Sequence, residues 1–317
     1  MPHPTRRQFL RDSASCAAHV ALAASALPRA LRAEWTRSLA GPVVAEEKFG
    51  RLERVAEGVW ALVSTPLAGD MTTVANGGLI AGRSGVLAVE GFMQPGGARW
   101  LAEQARTLTG RRPTHVALTH YHSDHVNGLA GYGAGESAPE VLSTTATRDL
   151  ALERNRSADA LTITALRGAA RLEPGVLDLG GRTVRVTTRQ GHTASDAFIE
   201  LDDPAITFCG DLVWNGMFPN YVDATPSALR ASVGSIRRPG AIYVPGHGPV
   251  GRDAEFDRYV VMLEAVEEAA RRAHAAGTPA AEAGAAFALP PDVGEWVLFN
   301  QVFFARAFAA WYRELAG

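Results

Sequence analysis

The chain has 317 residues, of which 47% are hydrophobic and 20% charged, and its formal net charge is −2 at pH 7. This length suits one large globular domain, and the mild acidity argues against nucleic acid as the main partner. The chain contains only two cysteines, so a disulfide framework is excluded.

The N-terminal segment has the pattern of an export signal. Residues 5–11, Thr-Arg-Arg-Gln-Phe-Leu-Arg, resemble a twin-arginine motif, and a weakly apolar, alanine-rich run over residues 14–27 follows. The run is shorter than the roughly 20 apolar residues of a membrane span. We predict a twin-arginine signal peptide over residues 1–33, with cleavage after Ala33 preferred to cleavage after Ala26, and a periplasmic or otherwise exported protein. The alternative is an amphipathic or disordered N-terminal arm.

The next part of the chain alternates between strands and a helix. Residues 52–64 and 73–89 are predicted to form strands, with turns at Asn76-Gly77-Gly78 and Arg83-Ser84-Gly85. Residues 96–108 are predicted to form a helix, and residues 114–119 form a short apolar strand.

A concentrated set of metal-binding side chains follows that strand. His120, His122, Asp124 and His125 lie within six residues, and a helix is predicted to begin near His125. Imidazole nitrogen and carboxylate oxygen are ligands for zinc, iron and manganese. Because His120 and His122 are two residues apart, one loop can direct both at one ion, which leaves Asp124 and His125 for a second ion.

Three later segments each place one further donor beside glycine at the end of a predicted strand. The donors are His192 after Gly191, Asp211 after Gly210, and His247 between Gly246 and Gly248. Glycine lets the backbone turn sharply close to an ion. The sequence therefore predicts seven donors for two metal sites.

Helices and strands continue on both sides of these donors. A helix is predicted around residues 148–156, strands near Val176, Val184, Ala197 and Ile206, and a helix over residues 227–236. Residues 255–275, 280–287 and 295–315 are predicted to form a helical tail. Its aromatic residues recur at helical spacing, which is typical of a core-facing side, with a cap over the active-site cleft or a contact with another subunit as the alternatives. These residues are Trp296, Phe299, Phe303, Phe304, Phe308 and Trp311.

The order H-x-H-x-D-H, a distant His, a distant Asp and a distant His resembles the metallo-β-lactamase superfamily over about residues 50–250. The resemblance implies an α/β (α+β) fold, an αββα sandwich with the metals at one edge between the sheets. It implies that His120, His122 and His192 hold the first metal. It likewise implies that Asp124, His125 and His247 hold the second and that Asp211 bridges them. Glu90 stands where the family commonly has an aspartate at the end of an early strand.

These expectations give a domain organisation of 1–33 signal peptide, 34–251 metallo-β-lactamase-fold domain and 252–317 helical extension packed on the same domain. Substrate contacts are predicted in the segment after Asp211, which combines aromatic, amide and thioether side chains. The candidates there are Trp214, Asn215, Met217, Phe218 and Tyr221. Arg148, Arg167 and Arg189 are the candidate cations for a substrate carboxylate, and the Tyr121 ring is expected to point away from the metals.

The sequence thus predicts a dinuclear metal-dependent hydrolase. A metal-bridging hydroxide would attack the carbonyl of a cyclic amide, β-lactam, lactone or ester, with Asp124 orienting the water or accepting its proton. Two divalent ions are expected, Zn²⁺ before Fe or Mn, and a small-molecule substrate. Two alternatives remain: a mononuclear iron-dependent oxygenase or oxidoreductase that uses His120, His122 and His192, and a non-catalytic metal-binding protein. The oligomeric state is not predicted.

Overall fold

The computed structural model describes residues 40–135, 138–155, 157–172 and 175–317. The predicted signal peptide lies outside these residues. The described chain forms two β-sheets with helices on the outer face of each. The strands are β1 Val43–Glu47, β2 Gly50–Ala56, β3 Val59–Ser64, β4 Gly77–Ala81, β5 Val86–Val89, β6 His115–Ala117, β7 Glu140–Ser143, β8 Ala170–Arg171, β9 Gly175–Asp178, β10 Thr183–Arg189, β11 Asp196–Asp202, β12 Ala205–Trp214 and β13 Ile242–His247.

The first sheet has eight strands in sequential order, β1 to β8. Strands β1 to β5 pair antiparallel, and β5 to β8 pair parallel. The second sheet has the order β13-β12-β11-β10-β9, with β12 and β13 parallel and the other pairs antiparallel. The parallel pairs direct the carboxyl ends of β6 and β13 to the edge where the predicted donors lie.

Alternation along the strands explains the layering. In β3, Val59, Ala61 and Val63 pack between the sheets, whereas Trp60 and Leu62 face the outer helices. A second apolar cluster lies under the helices of the first sheet, and a third covers the outer face of the second sheet. The predicted αββα sandwich is confirmed.

The described residues also form eight α-helices. The helices are α1 Pro95–Thr109, α2 Ser123–Val126, α3 Thr145–Arg154, α4 Ala160–Arg167, α5 Pro226–Ile236, α6 Asp253–Ala275, α7 Ala280–Ala286 and α8 Val302–Leu315. Single 3-10 turns occur at Pro66–Ala68, Leu129–Tyr132 and Pro291–Val293. Among the described helices, none combines the length and apolar character that a bilayer crossing requires.

The C-terminal extension is helical, but its last helix is shorter than predicted. Residues 295–301 are not part of α8, because Val297 pairs in parallel with Met217 as an isolated bridge and donates its backbone N–H to Gly216. Trp296 and Phe299 therefore do not lie on the helix. The predicted core role of the stripe holds for Phe303, Phe308 and Trp311, which are buried against α6, α7 and the second sheet.

Candidate metal centre

Strand ends bring all seven predicted donors to one edge of the sandwich. His120 and His122 lie in the loop after β6, and Asp124 and His125 lie in the single turn of α2. The other three come from the second sheet: His192 between β10 and β11, Asp211 within β12, and His247 at the end of β13. They form two adjacent groups of potential metal ligands.

The first group contains His120, His122, His192 and Asp211. Nδ1 of His122 lies 3.1 Å from Nε2 of His120 and 3.0 Å from Nε2 of His192. Oδ2 of Asp211 lies 3.2 Å from Nε2 of His192. Three imidazole nitrogens and one carboxylate oxygen therefore converge on a single point.

The second group contains Asp124, His125 and His247, with Asp211 beside it. Nε2 of His247 lies 3.3 Å from Oδ2 of Asp124 and 3.3 Å from Oδ1 of Asp211. Nε2 of His125 lies 3.2 Å from the same Asp211 oxygen. Asp211 thus directs one oxygen at each group, the arrangement expected of a bridging carboxylate.

Hydrogen bonding on the outer side of the imidazoles shows which nitrogens carry lone pairs. Thr119 donates its hydroxyl to Glu90, so its oxygen can accept from Nδ1 of His120 at 3.0 Å. Nε2 of His122 lies 3.0 Å from the Asp223 carboxylate. In each of these two rings the other nitrogen then carries a lone pair that points toward the cluster of donors. Facing lone pairs repel unless a cation lies between them, so the donor set fits a metal ion.

Glu90 lies behind the second group. Its Oε1 is 3.0 Å from Nδ1 of His125, within ion-pair distance but without good hydrogen-bond geometry, and Nε2 of His125 faces the centre. Glu90 has a φ of 77°, an uncommon conformation for a residue other than glycine. Oδ1 of Asp211 is buried and accepts no hydrogen bond of good geometry from the described residues, which also fits a cation.

Burial and neighbouring charges shift the pKa values of these histidines and aspartates in different directions. Burial lowers the pKa of His120 and of His122, which favours the neutral, ligating form. Burial opposes protonation of His247 as well, but the carboxylates of Asp211 and Asp124 raise its pKa to about 9. For Asp124, burial raises the pKa, but His125 and His247 outweigh it and hold the pKa at about 2. His247 of the second group therefore experiences more negative charge from nearby carboxylates than His120 and His122 of the first group do.

Asp223 was not predicted from the sequence, although it contacts one of the donors directly. It lies beside His122, and it accepts hydrogen bonds from the Tyr121 hydroxyl and from Arg154 at 3.0 Å. Tyr121 is buried, but its ring does not point away from the metal ligands as predicted: it lies 4.8 Å from the His122 ring, its hydroxyl belongs to this network and its side chain borders the cavity. Asn155 completes the network by donating to the Tyr121 carbonyl at 2.6 Å.

A cavity of about 340 Å³ opens onto both groups. Of the predicted substrate residues, Trp214 and Met217 line it. Trp214 also stacks on His247 with ring centroids 4.0 Å apart. Its indole N–H donates to the Asp211 carbonyl at 3.1 Å.

The other three predicted substrate residues have different neighbours. Asn215 donates to the Pro249 carbonyl at 2.9 Å, so it supports the turn after His247. Phe218 and Tyr221 are buried with each other in the cluster under the C-terminal helices. The segment after Asp211 begins as strand β12 rather than as an open loop, which turns these side chains into the core. The cavity cations are Arg154 and Arg306, not the predicted Arg148, Arg167 and Arg189.

The fold is a sandwich of two sheets, and a cluster of histidine and aspartate side chains at one edge is compatible with metal binding. Together they define the class of metal-dependent hydrolases that is built on this sandwich. The sequence profile of the Metallo-beta-lactamase superfamily matches residues 73–247, and the chain belongs to this superfamily.

Comparison with individual proteins agrees with this assignment. The chain is 30% identical over 195 residues to a hydroxyacylglutathione hydrolase of Acidiphilium cryptum (strain JF-5), a match that covers 59% of this chain and 73% of the relative. These comparisons make the chain a hydrolase of the superfamily.

Two solved structures share its fold. The stereoselective inverting sec-alkylsulfatase from Pseudomonas sp. superposes with a TM-score of 0.69 at 14% identity, covering 96% of this chain and 62% of that enzyme. The chain thus spans less than two thirds of the alkylsulfatase. A beta-lactamase domain protein from Burkholderia ambifaria superposes with a TM-score of 0.61 at 19% identity, covering 86% and 92% of the two chains.

Proposed function

We propose that the protein is a dinuclear metal-dependent hydrolase that cleaves a carbonyl substrate such as an ester, thioester, lactone or cyclic amide. The observation that carries this proposal is the position of Asp211, whose Oδ2 lies 3.2 Å from His192 and whose Oδ1 lies 3.2 Å from His125. A carboxylate shared in this way holds two cations close together and reduces their mutual repulsion.

In this proposal each cation has three ligands of its own and shares Asp211. The first is held by His120, His122 and His192, and the second by Asp124, His125 and His247. Nitrogen-rich sites of this kind suit Zn²⁺, which is the first candidate ahead of Fe and Mn. When bound, such a pair lowers the pKa of water toward neutrality and polarises a carbonyl oxygen.

The protein side chains supply orientation and proton transfer. Asp124 lines the cavity beside His247, so its carboxylate can orient an attacking water and accept its proton. Glu90 and Asp223 fix the His125 and His122 rings through their outer nitrogens. Trp214 shields His247 from solvent by stacking on it.

Two observations favour a carbonyl substrate. The relative from Acidiphilium cryptum is named a hydroxyacylglutathione hydrolase, which suggests thioesters for this chain as well. The cavity also has an apolar wall that includes Met71, Met93 and Phe299, which suits an acyl group.

The decisive experiment is elemental analysis of the purified protein, combined with hydrolysis of an ester, thioester, lactone and β-lactam panel. About two zinc ions per chain with turnover of one bond class would support the proposal. One iron per chain, oxygen consumption and no hydrolysis would replace it with the mononuclear redox alternative. Metal binding without any turnover would favour a non-catalytic protein.

We also propose export through the twin-arginine route, on the strength of Arg6 and Arg7 and the alanine-rich run that follows them. Replacing both arginines with lysine should retain the protein in the cytoplasm, as measured by cell fractionation. Unchanged export of that variant would contradict this proposal.

A further inference from the structure

The cavity wall away from the metal centre is mostly apolar. Three of the five methionines of the chain, Met71, Met93 and Met217, line it together with Phe299 and Phe303. Methionine is flexible and polarisable, so such a wall adapts to a linear aliphatic or aromatic group. The wall alone offers nothing that would recognise a charged substrate.

Two arginines interrupt this wall, and they differ in their partners. Arg154 already has hydrogen-bond partners within the protein, because it donates to the Tyr121 hydroxyl at 2.6 Å and to Asp223 at 3.0 Å. Its charge is therefore balanced by a carboxylate that also contacts His122.

Arg306, on helix α8, has a different environment. It donates to the Asn220 side-chain oxygen at 3.1 Å, and its guanidinium lies 5.7 Å from the centre of the Phe303 ring. Within the described ranges no carboxylate lies within ion-pair distance of it. Asn220 and Phe303 hold the guanidinium in place without neutralising it, so a positive charge faces the cavity unbalanced.

We propose that Arg306 is a specificity-determining residue that binds a carboxylate at the distal end of the substrate. The substrate would then have its scissile carbonyl at the metal centre, an apolar middle along the methionine wall, and a terminal carboxylate at Arg306. A guanidinium matches the two oxygens of a carboxylate in a planar fork. This inference rests on the proposed hydrolase function and adds its substrate class, a monoester or monothioester of an apolar dicarboxylic acid.

The first test compares two esters of the same shape, 4-nitrophenyl hemiglutarate and 4-nitrophenyl 5-methylhexanoate. In Arg306→Met, which keeps an apolar stem, kcat/KM for the hemiglutarate should fall about tenfold to a hundredfold, mainly through KM, as expected when a charge-assisted hydrogen bond is lost. Turnover of the neutral ester should stay within about twofold. Equal losses for both esters, or no loss for either, would overturn the proposal.

The matched control is Arg313→Met on the same helix. Arg313 is exposed and is not part of the cavity wall; its guanidinium approaches the Ala224 carbonyl. This variant should leave both esters unchanged. A loss equal to that of Arg306→Met would mean that removal of any positive charge from α8 suffices, and the assignment to Arg306 would be wrong.

A binding measurement separates failure of this inference from failure of the hydrolase proposal. Calorimetry with 4-phenylbutyrate and the neutral 4-phenylbutanol, on the metal-loaded full chain, should show that Arg306→Met weakens only the carboxylate, by about tenfold or more. If no member of the ester, thioester, lactone and β-lactam panel is cleaved but this difference holds, the hydrolase proposal fails and the carboxylate site stands. If the esters are cleaved and the carboxylate binds both proteins equally, the hydrolase stands and the carboxylate site is rejected.

Discussion

Asp211 is the residue on which the two metal groups depend, because its two oxygens are divided between them. It is buried, and although burial raises its pKa, the surrounding histidines hold the pKa well below the ordinary aspartate value. A carboxylate that remains ionised in this position would supply a permanent counter-charge for the two proposed cations. Asp124 lies within 4 Å of donors of the second group only, and no other described carboxylate contacts donors of both groups.

We expect Asp211→Ala to bind about one metal ion per chain instead of two and to lose more than about a hundredfold of its activity, since a shared ligand is removed. Elemental analysis and kcat measurement test this. Asp202→Ala provides the control, because Asp202 is an exposed partner of Arg185 at the far side of the second sheet. Two bound ions with retained activity in Asp211→Ala would show that Asp211 is not a bridge.

Asp223 supports the first group from outside, through the Nε2 of His122. In Asp223→Asn the amide can still fill the space, but it can no longer hold the ring in place with a negative charge. We expect metal affinity and activity to fall about tenfold to a hundredfold, the usual effect of losing a carboxylate behind a ligating histidine. Competition with a chromogenic chelator measures the affinity. Activity that falls without a change in metal affinity would instead place Asp223 among the substrate contacts.

At the scale of elements, close contact between β12 and β13 positions the Asp211 carboxylate. A Cβ atom added to Gly246 in β13 would overlap Oδ1 of Asp211 and lie 2.8 Å from the Gly210 carbonyl carbon. Gly246 does not have a positive φ, so lack of space alone excludes a side chain. Asn76 secures the same turn by donating to the Pro245 carbonyl at 3.0 Å.

We therefore expect Gly246→Ala to displace Asp211, to lower metal content and to destabilise the fold by about 1–3 kcal/mol, the usual effect of overpacking. Gly234→Ala is the matched control, since Gly234 lies in the last turn of α5 and a Cβ there meets nothing within 4 Å. That control should gain about 0.5–1 kcal/mol in helix stability and keep its metals. Metal analysis and urea unfolding distinguish the two variants, and a fully loaded Gly246→Ala would contradict the packing argument.

Elements with strong local patterns were predicted well, and those set by distant contacts were not. Helix α1 at Pro95–Thr109 agrees with the predicted 96–108 because apolar periodicity and the following Gly110 are local signals. The start of α8 was missed because pairing of Val297 with Met217 is invisible in local spacing. Asp223 was missed for the same reason, since 101 residues separate it from His122.

At the scale of the whole molecule, the C-terminal extension does more than cover the second sheet. Trp311 and Phe308 anchor α8 in the same cluster as Met217 and Trp214, which border the metal centre. The first turns of α8 also contribute Phe303 and Arg306 to the cavity. The helical extension thus joins the core of the sandwich to the substrate-facing wall, so its position influences the shape of the site.

The metals themselves should contribute to the stability of the whole molecule, because the buried donors repel or remain unsatisfied without a cation between them. A ligand at about 100 times its Kd stabilises the native state by about 2.7 kcal/mol per site. For a chain of this size two such sites correspond to a fall in Tm of about 8 °C when the metals are removed. Differential scanning calorimetry before and after chelation measures this fall, and added Zn²⁺ should reverse it whereas Mg²⁺ should not, since nitrogen donors suit zinc. An unchanged Tm after verified metal removal would mean that the hydrogen bonds of Glu90, Thr119 and Asp223 preorganise the centre without metal.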